Sequence, residues 1–127
     1  MKNDNQNKGF SVKKRAKSFV HAGRGIGLFI KTTHNAWLHL VALVVAVSFG
    51  FYFQITHVEW MILVLVCGLV LAAEAFNTAI EIDIDLTSPE YHPYARDTKD
   101  VAAGAVLISA LTALIVGIII FGHYLIK

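Results

Sequence analysis

A chain of 127 residues that is 56% hydrophobic and only 16% charged, at a mean hydropathy of +0.60, falls short of the roughly 25% charge of an ordinary soluble domain. Its length allows one domain, read here as residues 1–127, and a net charge of +2 is no footprint for a nucleic-acid partner. The single cysteine, Cys67, excludes an intrachain disulfide and reads as a small apolar packing residue.

Residues 1–9, MKNDNQNKG, are polar throughout, and their composition predicts a disordered tail. A surface helix is predicted over residues 10–33. Phe19, Ala22, Ile26, Phe29 and Ile30 recur on one side of it, and Lys17, His21, Arg24 and Lys31 on the other. A basic amphipathic helix of this kind lies on an anionic membrane surface. Its basic stretch is too long for a secretory signal, and the apolar run behind it lacks a small-residue cleavage site. The glycines at 23, 25 and 27 follow no strand and lack the lysine of a phosphate loop, so they read as packing or flexible points.

Two stretches free of Asp, Glu, Lys and Arg follow, Thr32 to Val58 and Val101 to Ile126. Each exceeds the roughly 20 residues that a helix needs to cross a bilayer. They predict spans over 36–56 and 100–125, with Trp37 and Trp60 near span ends. Between them, Trp60 to Ala73 is charge-free but short. It reaches spanning length, over 60–82, only if the helix continues through Glu74, Asn77 and Glu81. Thr87-Ser88-Pro89 and Tyr91-His92-Pro93 are turn signals that break this helix, and the next is predicted to restart near Lys99-Asp100. The expected fold is an all-α integral membrane protein, an N-terminal surface helix followed by three transmembrane helices.

Charge orients it. Lys2, Lys8, Lys13, Lys14, Arg15, Lys17, Arg24 and Lys31 all precede the first span, and Arg96 and Lys99 lie in the second connection. The turn around His57-Val58-Glu59 has neither Lys nor Arg. The excess of basic residues puts the N-terminus and the second connection in the cytoplasm of a bacterial inner membrane.

Glu74, Asn77, Glu81 and Asp85 are spaced at i, i+3, i+7 and i+11, within a sector of about 80° on one helix side. Gly68, Ala72, Ala75 and Ala79 form a small-residue strip on roughly the opposite side. Ala105, Ser109 and Ala113 form another on the last span, and such strips allow close helix packing in membranes. Asp83 lies opposite the stripe, as a solvated residue. Carrying a carboxylate into a bilayer costs about 2.5–3.5 kcal/mol or more, so a stripe of them implies pairing, metal binding or function. One reading is a proton or ion relay in a small transporter subunit. The other is a surface site where carboxylates and an amide oxygen hold Mg²⁺ against a nucleotide. A relay needs polar groups continuing to the far side, where the spans are apolar, and the stripe runs instead into a loop with Glu90, His92, Arg96, Lys99 and Asp100. Placement favours the surface site.

The run EAFNTAIEIDIDLTSPEYHPYARDTKDVAAGAVLISA, Glu74 to Ala110, resembles the prokaryotic diacylglycerol kinase family. Its E-x-x-N-[ST]-A-[LIV]-E-x-x-x-D pattern is met from Glu74 to Asp85, its K-D by Lys99-Asp100, and a K-T-x-x-N-x-x-x-H stretch runs from Lys31 to His39. The resemblance implies a homotrimer with active sites between subunits, which uses MgATP on the cytoplasmic side to phosphorylate a lipid hydroxyl. By the same resemblance Glu74 is the catalytic base, Glu81 a metal ligand, and Asn77 and Asp85 active-site polar residues. Glu81, Glu90, Tyr91, His92, Lys99 and Asp100 correspond to ATP-binding positions, and Lys14 and His21 to weaker ones. The YHPYARDTKDVAAGAVL stretch looks closer to the branch whose usual acceptor is undecaprenol than to the branch that recycles diacylglycerol. One position departs from the pattern. Thr33 stands where the family usually has a glutamate that is a second metal ligand, which implies a single-metal site, a substitute carboxylate or a weakened kinase.

Overall fold

The structure is a computed structural model that describes residues 11–126, apart from the side chain of His34. The predicted tail over 1–9, with Lys2 and Lys8, lies outside the described residues. Four helices follow one another: α1 (Val12–Thr32), α2 (His34–Phe53), α3 (His57–Thr87) and α4 (Pro93–Leu125). Three of them, taken as Asn35–Phe53, His57–Thr87 and Pro93–Leu125, are long and apolar enough to cross a membrane.

Ser11 opens α1 as its N-cap, its side chain accepting from the Lys14 amide at 3.4 Å. None of the α1 residues is buried; Phe19 and Ile26 are exposed, and only Gly27, Phe29 and Ile30 are partly covered. At Thr33 the backbone turns extended and α2 begins at once.

The turn between α2 and α3 is Gln54 to Thr56, three residues earlier than the predicted turn at His57 to Glu59. Gln54 adopts φ 51°, ψ 51°, and its amide reaches back to the Gly50 and Phe51 carbonyls. Thr56 then caps α3, accepting from the Glu59 amide while Glu59 accepts from the Thr56 backbone N–H at 2.7 Å. This reciprocal pair satisfies two of the free amides of a helix start. Glu59, counted from its charge as loop, belongs to the first turn of the helix.

The second boundary also differs. The predicted restart near Lys99 comes six residues late, because α4 begins at Pro93 with His92 as N-cap. Proline breaks a helix interior but suits its first turn, where its missing N–H would have no partner. The charge-free helix at Trp60 does continue through Glu74, Asn77 and Glu81, as it must to span.

Contacts at both ends show that α3 and α4 run antiparallel. Tyr124 donates to Glu59 at 2.9 Å at one end, and Lys99 pairs with Asp85 at the other. Between α2 and α3 the same follows from Thr33 with Thr78, His39 with Glu74, and Gly50 under the Trp60 ring. A Cβ at Gly50 would lie 2.6 Å from that ring, so this close crossing requires glycine. Ile55, Leu63, Ile120 and Phe121 form the apolar core at this end. Phe49 meets Phe121 edge-on at 5.7 Å, and Phe53 stacks on Tyr124.

At 1.5 Å per residue α2 is about 30 Å long, close to the hydrocarbon thickness, while α3 and α4 are about 46 and 50 Å. All three share the aromatic end, so the far ends of α3 and α4 project beyond α2. Glu74 comes about 26 Å along α3 and Asp85 about 42 Å. The polar stripe therefore starts near the edge of the apolar slab and leaves it.

Candidate functional site

Glu74 is the largest fully buried side chain, 1% exposed. It is buried because α3 packs its stripe side against α2 and α4, and its charge is met by one side chain. His39 Nε2 lies 2.9 Å from Glu74 Oε1. The other carboxylate oxygen, Oε2, is buried with no hydrogen-bond partner among the described residues. One turn on, the Asn77 amide donates to Glu81 Oε1 at 3.0 Å, and Asn77 Oδ1 is buried and likewise unpartnered. The Thr78 hydroxyl bonds the Glu74 carbonyl at 2.9 Å and meets the Thr33 hydroxyl at 2.8 Å, which ties the α1–α2 junction to the stripe.

These groups line one cavity of about 280 Å³, formed by Thr33, Asn35, Glu74, Asn77, Glu81 and Asp85 with their neighbours. A second, of about 370 Å³, lies beyond it, lined by Asp85, Glu90, Tyr91, His92, Arg96, Lys99 and Asp100 among others. Asp85 borders both, and its ion pair with Lys99 joins α3 to α4 there. Arg96 pairs with Asp100 at 3.4 Å. His92 both caps α4, its Nδ1 accepting from the Tyr94 amide, and faces this second cavity. The stripe and the loop thus form two adjoining polar chambers.

Eight of the residues singled out in the sequence, beginning with Glu74 and ending with Asp100, line these chambers together with Asn77, and Thr33 joins them at the rim. Lys14 and His21 do not. Both are exposed on the part of α1 that stands away from the bundle, and neither lines either cavity. His39 and Thr78 were given no role from the sequence. The signal for His39 was present, since an ionisable side chain inside an apolar span marks a functional position.

The small-residue strips divide. On α4, Ser109 is buried and Ala113 half-buried while Ala105 is exposed, whereas Gly68, Ala72, Ala75 and Ala79 on α3 are all exposed, and nothing lies within 4 Å of where a Gly68 Cβ would stand. Among the described residues of one chain nothing packs closely on that strip.

The donor set suits Mg²⁺ in part-hydrated form. Glu81 offers a carboxylate and Asn77 an orphaned amide oxygen, all-oxygen ligands of the kind Mg²⁺ takes. Among the described residues no group of three or more His, Cys, Asp or Glu side chains could hold a metal by itself.

The profile of prokaryotic diacylglycerol kinase matches residues 20–121. The chain belongs to the prokaryotic diacylglycerol kinase family. A Bacillus subtilis relative named undecaprenol kinase is 43% identical over 105 residues, covering 83% of this chain and 85% of the relative. A Synechocystis diacylglycerol kinase is 36% identical over 79% of this chain and 58% of its own length. A Helicobacter pylori diacylglycerol kinase is 29% identical over 91% and 93%. The matched region contains His39, the whole polar stripe and both chambers, and omits Lys14.

Proposed function

We propose that this chain is a lipid kinase that transfers the γ-phosphoryl group of ATP to the hydroxyl of a membrane lipid at the cytoplasmic face of the inner membrane. The observation that carries the reading is Glu74: a buried carboxylate at the edge of the apolar slab, with one oxygen unpartnered among the described residues, on a residue that lines the first polar chamber. The lipid oxygen forms a bond to the γ-phosphorus as the bond from that phosphorus to the bridging oxygen breaks. ADP leaves, and the hydroxyl proton passes to Glu74. Glu81, with the Asn77 oxygen, would hold Mg²⁺, and the ion would offset charge on the triphosphate. Lys99 supplies a further positive charge, and Glu90, Tyr91, His92 and Asp100 border the nucleotide. A relay subunit is the weaker reading, since Trp60 to Ala73 offers no carboxylate between Glu59 and Glu74.

The exposed strip from Gly68 to Ala79 supports a homotrimer, since small residues let membrane helices of separate copies approach closely. Lys14 and His21 then contact nucleotide in the assembled site, with α1 lying amphipathically on the membrane surface. The relative named undecaprenol kinase favours a polyprenol as acceptor, with diacylglycerol second. Radiolabelled ATP in mixed micelles with undecaprenol and diacylglycerol side by side tests this. Label in a lipid phosphate is the expected result, greater with undecaprenol. Absence of label from both lipids, with proton flux in liposomes without ATP, would support the relay instead.

A further inference from the structure

We propose that His39 is a positioning residue that makes the two oxygens of Glu74 unlike: it holds Oε1, and Oε2 takes the proton of the acceptor hydroxyl. This deepens the lipid kinase reading and rests on it. A carboxylate able to accept a proton is ionised, and an ionised carboxylate only accepts hydrogen bonds. The nitrogen 2.9 Å from Oε1 is therefore protonated, and His39 donates. No other side chain among the described residues is bonded to the carboxylate. The Thr78 hydroxyl goes to the Glu74 backbone carbonyl, and the Asn77 amide goes to Glu81. Without His39 the carboxylate loses its one hydrogen bond among the described residues.

The ring also stands at a boundary. Glu74 lines the polar chamber, while His39 lines an apolar cavity of about 480 Å³ with Leu43, Ala46, Phe49, Val70 and Phe121. The pair spans the place where an apolar chain and a triphosphate have to meet. A hydroxyl brought there finds one oxygen bonded to His39 and one without a partner. A fixed acceptor matters because misplacement by about 1 Å can cost about a hundredfold in rate.

The test uses the purified full-length chain in mixed micelles with MgATP and undecaprenol or diacylglycerol, and compares His39→Gln, His39→Asn, His39→Leu, Glu74→Gln and the His39→Leu/Glu74→Gln double variant. A glutamine amide N–H reaches about as far as histidine Nε2, and an asparagine amide falls short. His39→Gln should keep most of the turnover, whereas His39→Asn and His39→Leu lower kcat roughly ten- to a hundredfold. KM for ATP stays within about twofold, and the double variant is no slower than Glu74→Gln, as residues acting as a unit behave. Gln and Asn variants of equal rate, or losses that multiply in the double variant, would overturn the assignment. If Glu74→Gln turns over like the wild type, the catalytic-base reading itself fails. If Glu74→Gln is slow and His39→Asn is not, only the role of His39 fails.

Discussion

Glu81 and Glu74 lie about 10 Å apart along one side of α3, and the proposed mechanism gives them different tasks. Glu81, exposed and bonded to the Asn77 amide, lies on the water side of the chamber that both residues line. Glu81→Gln should cut Mg²⁺-dependent turnover by about a hundredfold or more and leave the melting temperature unchanged, because it removes a ligand charge and no packing. Thr33 raises the opposite question. Its hydroxyl is engaged with Thr78, so a glutamate there gives up that bond and adds a charge facing Glu81. A second carboxylate repels a bare triphosphate, and a bound divalent ion reverses that sign. Thr33→Glu should weaken ATP binding without metal, strengthen it with metal, lower the Mg²⁺ concentration for half-maximal rate and raise turnover. A Mg²⁺ titration in which Thr33→Glu is neutral or slower at every concentration would mean that the site works around one ion. The stripe itself was legible, since i, i+3, i+7 and i+11 fix a helix side from numbers alone. The His39–Glu74 contact was not, because it depends on which turn of α2 faces which turn of α3. That register comes from a three-residue turn and a glycine under a tryptophan ring.

The helices differ in what starts them, and the starts carry their own test. Thr56 and Glu59 close a capping box about 26 Å from Glu74 along α3, and Tyr124 adds a bond from α4 to the same carboxylate. Thr56→Ala should cost about 1 kcal/mol of stability, seen as a lower melting temperature in detergent, with kcat and KM unchanged. A loss of turnover at full stability would mean that the far end of the bundle communicates with the site. The same residues explain where reading by charge went astray. Glu59 looked like loop because it is charged, and Pro93 looked like a break because it is proline. Both are start signals, Glu at the third helical position after a threonine cap and proline at the first. That α3 runs on through Glu74, Asn77 and Glu81 was legible for a different reason, although the helix, His57–Thr87, is longer than the 60–82 expected. Between two clear spans, fourteen apolar residues had to borrow their carboxylates to cross.

The whole molecule has an apolar, aromatic end and a polar end, and the orientation proposed from the distribution of Lys and Arg puts them on opposite sides of the membrane. Alkaline phosphatase fused after Lys127 should be active, reporting an outward C-terminus. A cytoplasmic reporter active at that end would reverse the orientation and put the chambers on the wrong side for ATP. The strip of Gly68, Ala72, Ala75 and Ala79 was recognisable as a packing surface, but composition has no way to tell an intrachain partner from a second copy. In the single chain it is uncovered. The central claim, that Glu74 accepts a proton during transfer to a lipid, is tested most directly by wild type and Glu74→Gln compared in one preparation, with labelled lipid phosphate and ATP binding both measured. The account predicts label in the wild type, a loss of about a hundredfold or more in Glu74→Gln, and ATP affinity unchanged within about twofold. Equal labelling by the two proteins would contradict it.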